Sequence, residues 1–351
     1  MARPNPLEER KKMRTAAIGE ELIRVEKLRK HFPLQTGFIA SILNRGQIPA
    51  VKAVDEVSFT IRRGEVFGLA GESGSGKSTV GRLVLRLLEP TSGKVIFDGI
   101  DLENLPMEEM RRMRARMQIV FQDPLASLNP RMTIGQAIEH PSQIHMPEFS
   151  QAERRIQALD ILKAVGMNPA ESFYDLYPHQ ISGGQRQRVA LARALVTFPE
   201  FIVADEPIAM ADVSVRAVLL DLMMKMKEEF ELTYLFITHD LATAKYVCNR
   251  IAIMYLGKLC EVGPLNEVYG NSGHPYTRAL LEAVPVPDPR YRRTEAMPAG
   301  EIPNAINPPP GCHFHPRCTL AKERCSVEEP LLREIRPGHQ VACHYAEELL
   351  R

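Results

Sequence analysis

The chain has 351 residues, and its 44 Lys and Arg against 43 Asp and Glu leave a formal charge of +1. That balance excludes a global field drawing it to nucleic acid or anionic lipid, so any partner must be recognised locally. With 44% apolar residues there is ample material for a core, the length suits two domains, and no apolar run reaches the roughly 20 residues that cross a bilayer.

The opening MARPNPLEERKKMR lacks the apolar stretch of a secretory signal, which points to a cytosolic chain. Residues 1–20 are charged and aperiodic and read as a frayed tail or a short helix. From Glu21 the pattern becomes ordered. IRVEKLRKHF and VKAVDEVSFTI alternate like strands, separated by a Gly- and Pro-punctuated insert from Pro33 to Ala50. EVFGLAG, KVIFDG, MQIVFQ, FIVADEP and TYLFITHD are short continuous apolar runs of the kind covered on both faces. With helical stretches between several of them, the expected fold is α/β with a mainly parallel sheet.

Between Gln122 and Phe201 the apolar spacing turns helical in IGQAIEH, AERRIQALDILKAVG and QRQRVALARALV, so a helical subdomain is expected at about 123–198. IAIMYLGKLCEVG reads as a hairpin turning near Gly257. Prolines then crowd the chain from Pro285 to Pro310, and a loop-rich unit is expected over 266–351, after a main domain at 21–265.

Gly71-Glu-Ser73-Gly74-Ser75-Gly76-Lys77-Ser78-Thr79 matches the P-loop pattern, with an apolar strand before it and a helix after it. The glycines let successive N–H groups face phosphate oxygens, and the helix start adds partial positive charge. Lys77 suits the β- and γ-phosphates of ATP, and the Ser78 hydroxyl suits Mg²⁺. FIVADEP delivers Asp205 and Glu206 to the end of a buried strand, where adjacent carboxylates are costly unless a cation or a proton transfer uses them. Asp205 suits Mg²⁺, and Glu206 suits the base that orients or deprotonates the attacking water.

Ser182-Gly183-Gly184-Gln185, at the head of QRQRVALARAL, has the spacing of a capping box. With its preceding Ile181 it also resembles the signature sequence of ABC-type ATPases. The order of P-loop, Gln122 in VFQDP, ISGGQ, FIVADEP and His239 in ITHD resembles the ABC ATPase cassette from about Glu21 to Gly263. That resemblance implies a P-loop NTPase (RecA-like) core, an antiparallel β subdomain and an inserted helical subdomain. It further implies a head-to-tail dimer in which ISGGQ of one chain closes over nucleotide on the other's P-loop. Gln122 would sense the γ-phosphate and Mg²⁺, and His239 would contact the γ-phosphate. Phe32 lies where the family usually stacks an aromatic on adenine, and a core role is the alternative. The loop after FIVADEP departs from the family: it reads Ala209-Met210-Ala211-Asp212, which keeps Asp212 and lacks the usual serine.

GHPYTRALLEAVPVPDPR and GEIPNAINPPPGCHFHPRC resemble the C-terminal extension of oligopeptide and dipeptide importer ATPases. This implies a subunit on the cytoplasmic face of the membrane, paired with a related ATPase, two transmembrane permease subunits and, through the complex, an extracytoplasmic substrate-binding protein. Nucleic acid is not among the implied partners. A sugar or nickel importer is one alternative, and a soluble ABC ATPase acting on nucleic acid or ribosomes is another. Cys312, Cys318, Cys325 and Cys343 lack paired C-x₂-C spacing, and four thiolates suit iron–sulfur or zinc, or stay unligated. The family resemblance favours a [4Fe–4S] cluster. Cys248 and Cys260 read as core residues.

Overall fold

The computed structural model describes residues 18–34, 49–284, 301 and 303–350. The charged tail at 1–17, most of the expected insert at 35–48 and the proline-rich stretch at 285–300 lie outside the described residues. In chain order the strands are β1 (Glu21–Pro33), β2 (Ala50–Arg62), β3 (Val66–Ala70), β4 (Ser92–Phe97), β5 (Ile100–Asp101), β6 (Met117–Val120), β7 (Phe201–Asp205), β8 (Thr233–Thr238), β9 (Arg250–Tyr255), β10 (Lys258–Pro264), β11 (Arg333–Arg336) and β12 (His339–Val341). The chain forms two compact units, each discontinuous in sequence. Among the described residues no helix is long and apolar enough to cross a membrane.

The first unit comprises the chain start to Leu22, Ile61–Val66 and Asn104–Phe236. Its strands run in the order β8-β7-β6, and β6 and β7 are parallel, with Met117 opposite Phe201 and Val120 opposite Ala204. Every residue of β7 is buried, as its unbroken apolar run requires. The helices expected from IGQAIEH, AERRIQALDILKAVG and QRQRVALARAL form at Ile134–His145, Gln151–Ala164 and Gly183–Leu195. Each starts at a reciprocal capping box, with Thr133 and Gln136, Ser150 and Glu153, and Ser182 and Gln185 satisfying otherwise unpaired N–H groups. Glu200 ties the segment entering β7 to its surroundings by accepting from Arg63 at 2.8 Å and Arg116 at 2.6 Å. Burial pushes the Glu200 carboxyl up, but the two guanidinium groups outweigh it and hold it below its ordinary value.

The second unit comprises Ile23–Thr60, Phe67–Glu103 and Ile237–Arg351. One sheet has the order β2-β1-β4-β5, with β1–β4 and β4–β5 antiparallel. KVIFDG therefore departs from the fully covered strand expected of it. In β4, Val95 and Phe97 are buried while Ile96 between them is half-buried, the alternation of an antiparallel strand with one solvated face. The other strands run in the order β11-β12-β10-β9-β3. Phe67–Ala70 pairs in parallel with Arg250–Ile253, and β9 and β10 form the expected hairpin. Its two turn residues, Leu256 and Gly257, both have positive φ (42° and 81°), as a turn matching strand twist demands.

The C-terminal segment is more regular than its proline content suggested. Arg333–Arg336 and His339–Val341 turn at Pro337-Gly338, and β12 adds to β10 through Glu261 and Val262. A buried polar clamp fixes that junction. The Glu261 carboxylate lies 2.7 Å from His339 Nε2 and accepts the backbone N–H groups of Gly273 (2.8 Å) and His274 (3.2 Å). His274 in turn caps the helix Pro275–Ala283, its Nδ1 accepting from the Tyr276 N–H at 3.0 Å.

Full burial pushes His274 down to about 4, against an opposing pull from Glu261. A neutral ring is also what its acceptor role at Nδ1 requires. The unfolded chain, with a His pKa near 6.5, therefore binds more protons between about pH 4 and 6.5. Stability contributed by the neutral ring is complete above pH 6.5 and falls by about 3 kcal/mol as pH drops to 4. Denaturant midpoints measured across this range should show the slope, and His274→Asn, which keeps a capping acceptor, should flatten it.

Candidate functional site

In the second unit the segment after β3 folds into the phosphate-type cradle expected from its sequence. Gly71, Gly74 and Gly76 take positive φ values of 151°, 79° and 108°, which residues with a Cβ adopt poorly. At Gly71 a Cβ would collide with the Met254 carbonyl, and at Gly76 with the Ala53 carbonyl, whereas at Gly74 it would meet open space. Two of the three glycines are thus required by close backbone approach as well as by conformation.

Gly76 caps the helix Lys77–Val84, whose Val80, Leu83 and Val84 are buried. Lys77 is buried too, and its ammonium donates to the carbonyls of Gly71 and Glu72, both at 2.8 Å, and to Ser75 Oγ at 3.4 Å. The cradle therefore wraps around a positive charge. Ser75 and Lys77 are buried, Ser73 and Gly74 exposed, and Ser78 and Thr79 half-buried at the helix start. Outside the cradle, the Gly257 N–H donates to the Ser75 carbonyl at 3.0 Å, so the β9–β10 turn supports the loop.

Phe32, near the end of β1, is 37% exposed, and the Lys30 ammonium lies 5.2 Å from its ring centre. The core alternative for this ring is not what the fold uses. His239 follows β8 and is exposed.

In the first unit Asp205 ends β7 and is 4% exposed. Glu206 leaves the strand with φ +48°, a left-handed conformation uncommon for a side chain of this size. The Gln122 side-chain amide donates to its Oε2 at 2.8 Å. Gln122 and Glu206, 84 positions apart in sequence, are thus one hydrogen-bonded pair. The signature segment lies on the same unit. Ser182 caps its helix, with the Ser182 N–H to Gln185 Oε1 at 2.8 Å and the Gln185 N–H to Ser182 Oγ at 3.3 Å. Gly183 has open space where a Cβ would stand. From the same helix the Gln187 amide donates to the Pro207 carbonyl at 3.2 Å, which joins it to the chain just past Glu206. Asp212, exposed, opens the helix Val213–Phe230.

Cys312, Cys318, Cys325 and Cys343 line one cavity with Phe314, Leu320 and Tyr345. Burial pushes the Cys312 thiol up to about 12 and Cys343 up to about 11, and the neighbouring cysteines add to both shifts. Cys318 is raised for the same reasons. Cys260 is buried close enough to Cys312 and Cys343 for their charges to raise it further, a proximity the linear spacing conceals. Among the described residues, no three His, Cys, Asp or Glu side chains converge closely enough to hold a metal ion. A lone zinc, which needs every sulfur about 2.3 Å from one point, therefore has no ready-made site.

Sequence reasoning passed over Glu72, Tyr276 and Arg317. Glu72 occupies a position that the P-loop pattern leaves free, so only its contacts mark it.

Two stretches of the chain match known protein families. Residues 54–209 match the ABC transporter family, and residues 260–325 match the oligopeptide/dipeptide transporter C-terminal region. The oligopeptide transport ATP-binding protein AppF of Bacillus subtilis is 45% identical over 333 residues, covering 94% of this chain and 99% of that protein. The probable peptide ABC transporter ATP-binding protein y4tS of Sinorhizobium fredii is 45% identical over 327 residues, covering 93% and 90%. Among solved structures, the dimeric bacterial ABC transporter cassette MJ0796 has a TM-score of 0.60 and 31% identity over 70% of this chain and 99% of that one. The same cassette in a post-hydrolysis state bound to ADP and Pi gives a TM-score of 0.60 and 30% identity over the same shares.

The glycine geometry separates two substitutions that look alike in sequence. Gly76→Ala drives its Cβ into the Ala53 carbonyl and should weaken ATP binding about a hundredfold, as misplacement of a cradle by an ångström does. Gly74→Ala meets open space and should cost far less. Titration of both variants with a fluorescent ATP analogue measures the difference, and equal losses would contradict it.

Proposed function

The chain belongs to the ABC transporter family of ATP-binding proteins, and we propose that it binds and hydrolyses ATP to power the import of oligopeptides or dipeptides. The observation that carries the cargo class is the match of residues 260–325 to the oligopeptide/dipeptide transporter C-terminal region, since the ATPase motifs alone are shared by ABC proteins of many cargoes. Relatives named for peptide transport, 45% identical over more than nine-tenths of the chain, support it over a sugar or nickel importer and over a soluble ATPase acting on nucleic acid or ribosomes.

In this reading the N–H groups from Gly71 to Thr79 hold the phosphates, Lys77 turns from loop carbonyls to the β- and γ-oxygens, and Phe32 stacks on adenine. Ser78, Gln122 and Asp205 are the hard oxygen donors that suit Mg²⁺, which when bound neutralises charge on the β- and γ-phosphates. Glu206 accepts the proton of the attacking water, with Gln122 holding its carboxylate at 2.8 Å, and His239 contacts the γ-phosphate. The Ser182–Gln185 segment, exposed at Ser182 and Gly183, and Asp212 face nucleotide on a partner cassette, consistent with the dimeric form of the similar cassette MJ0796. The partner is a related second ATPase subunit, and the pair works from the cytoplasmic face on two membrane permeases fed by an extracytoplasmic binding protein. Closure on ATP and reopening after hydrolysis transmit the work.

The four cysteines line one cavity, and burial with the neighbouring sulfurs raises Cys312, Cys318 and Cys343, so they form a donor set that a cationic group would stabilise. We assign them to a [4Fe–4S] cluster, whose several irons set cysteines wider apart than a single ion does. When bound, it contributes a crosslink among four segments of a small apolar core.

Glu206→Gln should lower steady-state ATP turnover by about 10²- to 10⁴-fold while ATP binding persists, and unchanged turnover would remove Glu206 from the role of base. Anaerobically purified protein should be brown and contain about four irons per chain. Colourless protein with one zinc per chain would reject the cluster.

A further inference from the structure

The P-loop residue Glu72 is held at its N–H, its carbonyl and its carboxylate by side chains, and its carbonyl also accepts the Ser75 N–H at 3.2 Å. Its backbone N–H donates to the Tyr276 hydroxyl at 2.9 Å, and its carbonyl accepts from Lys77 at 2.8 Å. Its carboxylate takes a two-pronged ion pair from Arg317, at 3.0 Å to Oε2 and 3.2 Å to Oε1. Arg317 is well placed for this. Its side chain is only 8% exposed, and its guanidinium lies 5.8 Å from the Tyr255 ring centre and 5.9 Å from that of Phe314. Tyr255, Tyr276 and Phe314 in turn pack on one another at 4.7–5.4 Å. A planar guanidinium between aromatic faces, matched to both oxygens of a carboxylate, is the pre-organised form of this interaction.

Arg317 also belongs to the cysteine-bearing segment. It ends the short turn His315–Arg317, where the Arg317 N–H donates to the Phe314 carbonyl at 3.0 Å and the Cys318 N–H to the His315 carbonyl at 3.2 Å. The Cys312 N–H donates to the Cys325 carbonyl at 2.8 Å. The arginine's backbone is thus set by a turn with Cys312 on one side and Cys318 on the other.

Charge gives the contact its purpose. A carboxylate in a loop built to receive a triphosphate is electrostatically adverse, and a buried or half-buried anion without its partner is costly. Arg317 removes both problems, by neutralising Glu72 and by fixing the loop carbonyl against which Lys77 rests.

We propose that Arg317 is a positioning residue for the nucleotide site, holding and neutralising Glu72 so that ATP affinity depends on the conformation of the four-cysteine segment. The proposal rests on the reading that Gly71–Thr79 binds ATP, and it stands whichever group the cysteines hold.

The test is the Kd of a fluorescent ATP analogue for the full-length protein and its variants, with thermal melting as the check on folding. Arg317→Ala should weaken binding about tenfold, the scale of a charge-assisted hydrogen-bonded pair, and the loss should appear in KM more than in kcat. Glu72→Gln keeps the shape and an acceptor for Arg317 and should cost less than threefold. The double variant R317A/E72Q should bind more tightly than R317A alone, because the unpaired carboxylate is gone. Cys318→Ser should weaken binding in the wild-type background and add little in R317A. The proposal is overturned if R317A stays within twofold of wild type. It fails equally if R317A/E72Q binds more weakly than R317A, or if Cys318→Ser costs the same in both backgrounds. If wild type itself binds no nucleotide, the ATP reading fails first. If wild type binds and R317A matches it, only the role of Arg317 falls.

Discussion

The backbone between Gly71 and Thr79 cannot hold its own shape, and much of the second unit is arranged to hold it. A loop that turns its N–H groups toward one point gives up the regular pairing by which backbone normally stabilises itself. Three of its glycines sit in conformations that other residues adopt poorly, and two of them press against neighbouring carbonyls. What replaces regular pairing comes partly from Lys77 inside the loop and otherwise from far along the chain. Lys77 collects the carbonyls of Gly71 and Glu72 from within the loop, Gly257 donates to Ser75 from the β9–β10 turn, and Tyr276 and Arg317 reach Glu72 from the C-terminal segment. The Glu261 clamp then fixes that segment, because it joins β10 to β12 and to the start of the helix carrying Tyr276. A buried carboxylate meeting an imidazole and two N–H groups is tolerable only if all stay in place, so the clamp makes the attachment nearly all-or-none.

What was readable in the sequence follows from the range of each interaction. The capping box at Ser182 is a four-residue pattern, and its helix starts where that pattern places it; the helices at Ile134 and Gln151 start at boxes of the same spacing, at Thr133 and Ser150. The P-loop, the strand carrying Asp205 and the hairpin at Gly257 are likewise local in their sequence signal, each marked by a pattern within about ten residues, even though the loop's shape is held from far along the chain. KVIFDG departs from its expected burial because a three-residue apolar run cannot distinguish a doubly covered strand from one whose partially exposed face happens to carry Ile96. The small strands β11 and β12 were legible in hindsight: Pro337-Gly338 between REIR and HQV is a turn signal, masked by the prolines upstream. The pairs Gln122–Glu206, Glu261–His339 and Glu72–Arg317 span 84, 78 and 245 positions. No periodicity or spacing rule reaches across such distances, so tertiary structure had to reveal them.

The altered loop after Glu206 can be judged in the same physical way. Where the family has a serine, this chain has Ala209-Met210-Ala211, yet backbone bonds still close the turn: the Ala209 N–H donates to the Glu206 carbonyl and the Ala211 N–H to the Ile208 carbonyl, both at 3.1 Å. Arg216 Nε donates to the Ala211 carbonyl at 3.0 Å, and the Asp212 carbonyl accepts the N–H groups of Val215 and Arg216. The hydroxyl is therefore not needed to shape the loop, and Ala209, where it would stand, is half-buried. Loss of the hydroxyl removes one neutral hydrogen bond toward whatever faces this surface, an effect of about 1 kcal/mol. If Glu206 is the base proposed above, loss of its carboxylate acts on proton transfer itself, at about two to four orders of magnitude in rate. In the proposed function the substitution thus bears on how firmly two cassettes would meet, while the chemistry assigned to Glu206 and to the Gln122 amide that holds it is left intact.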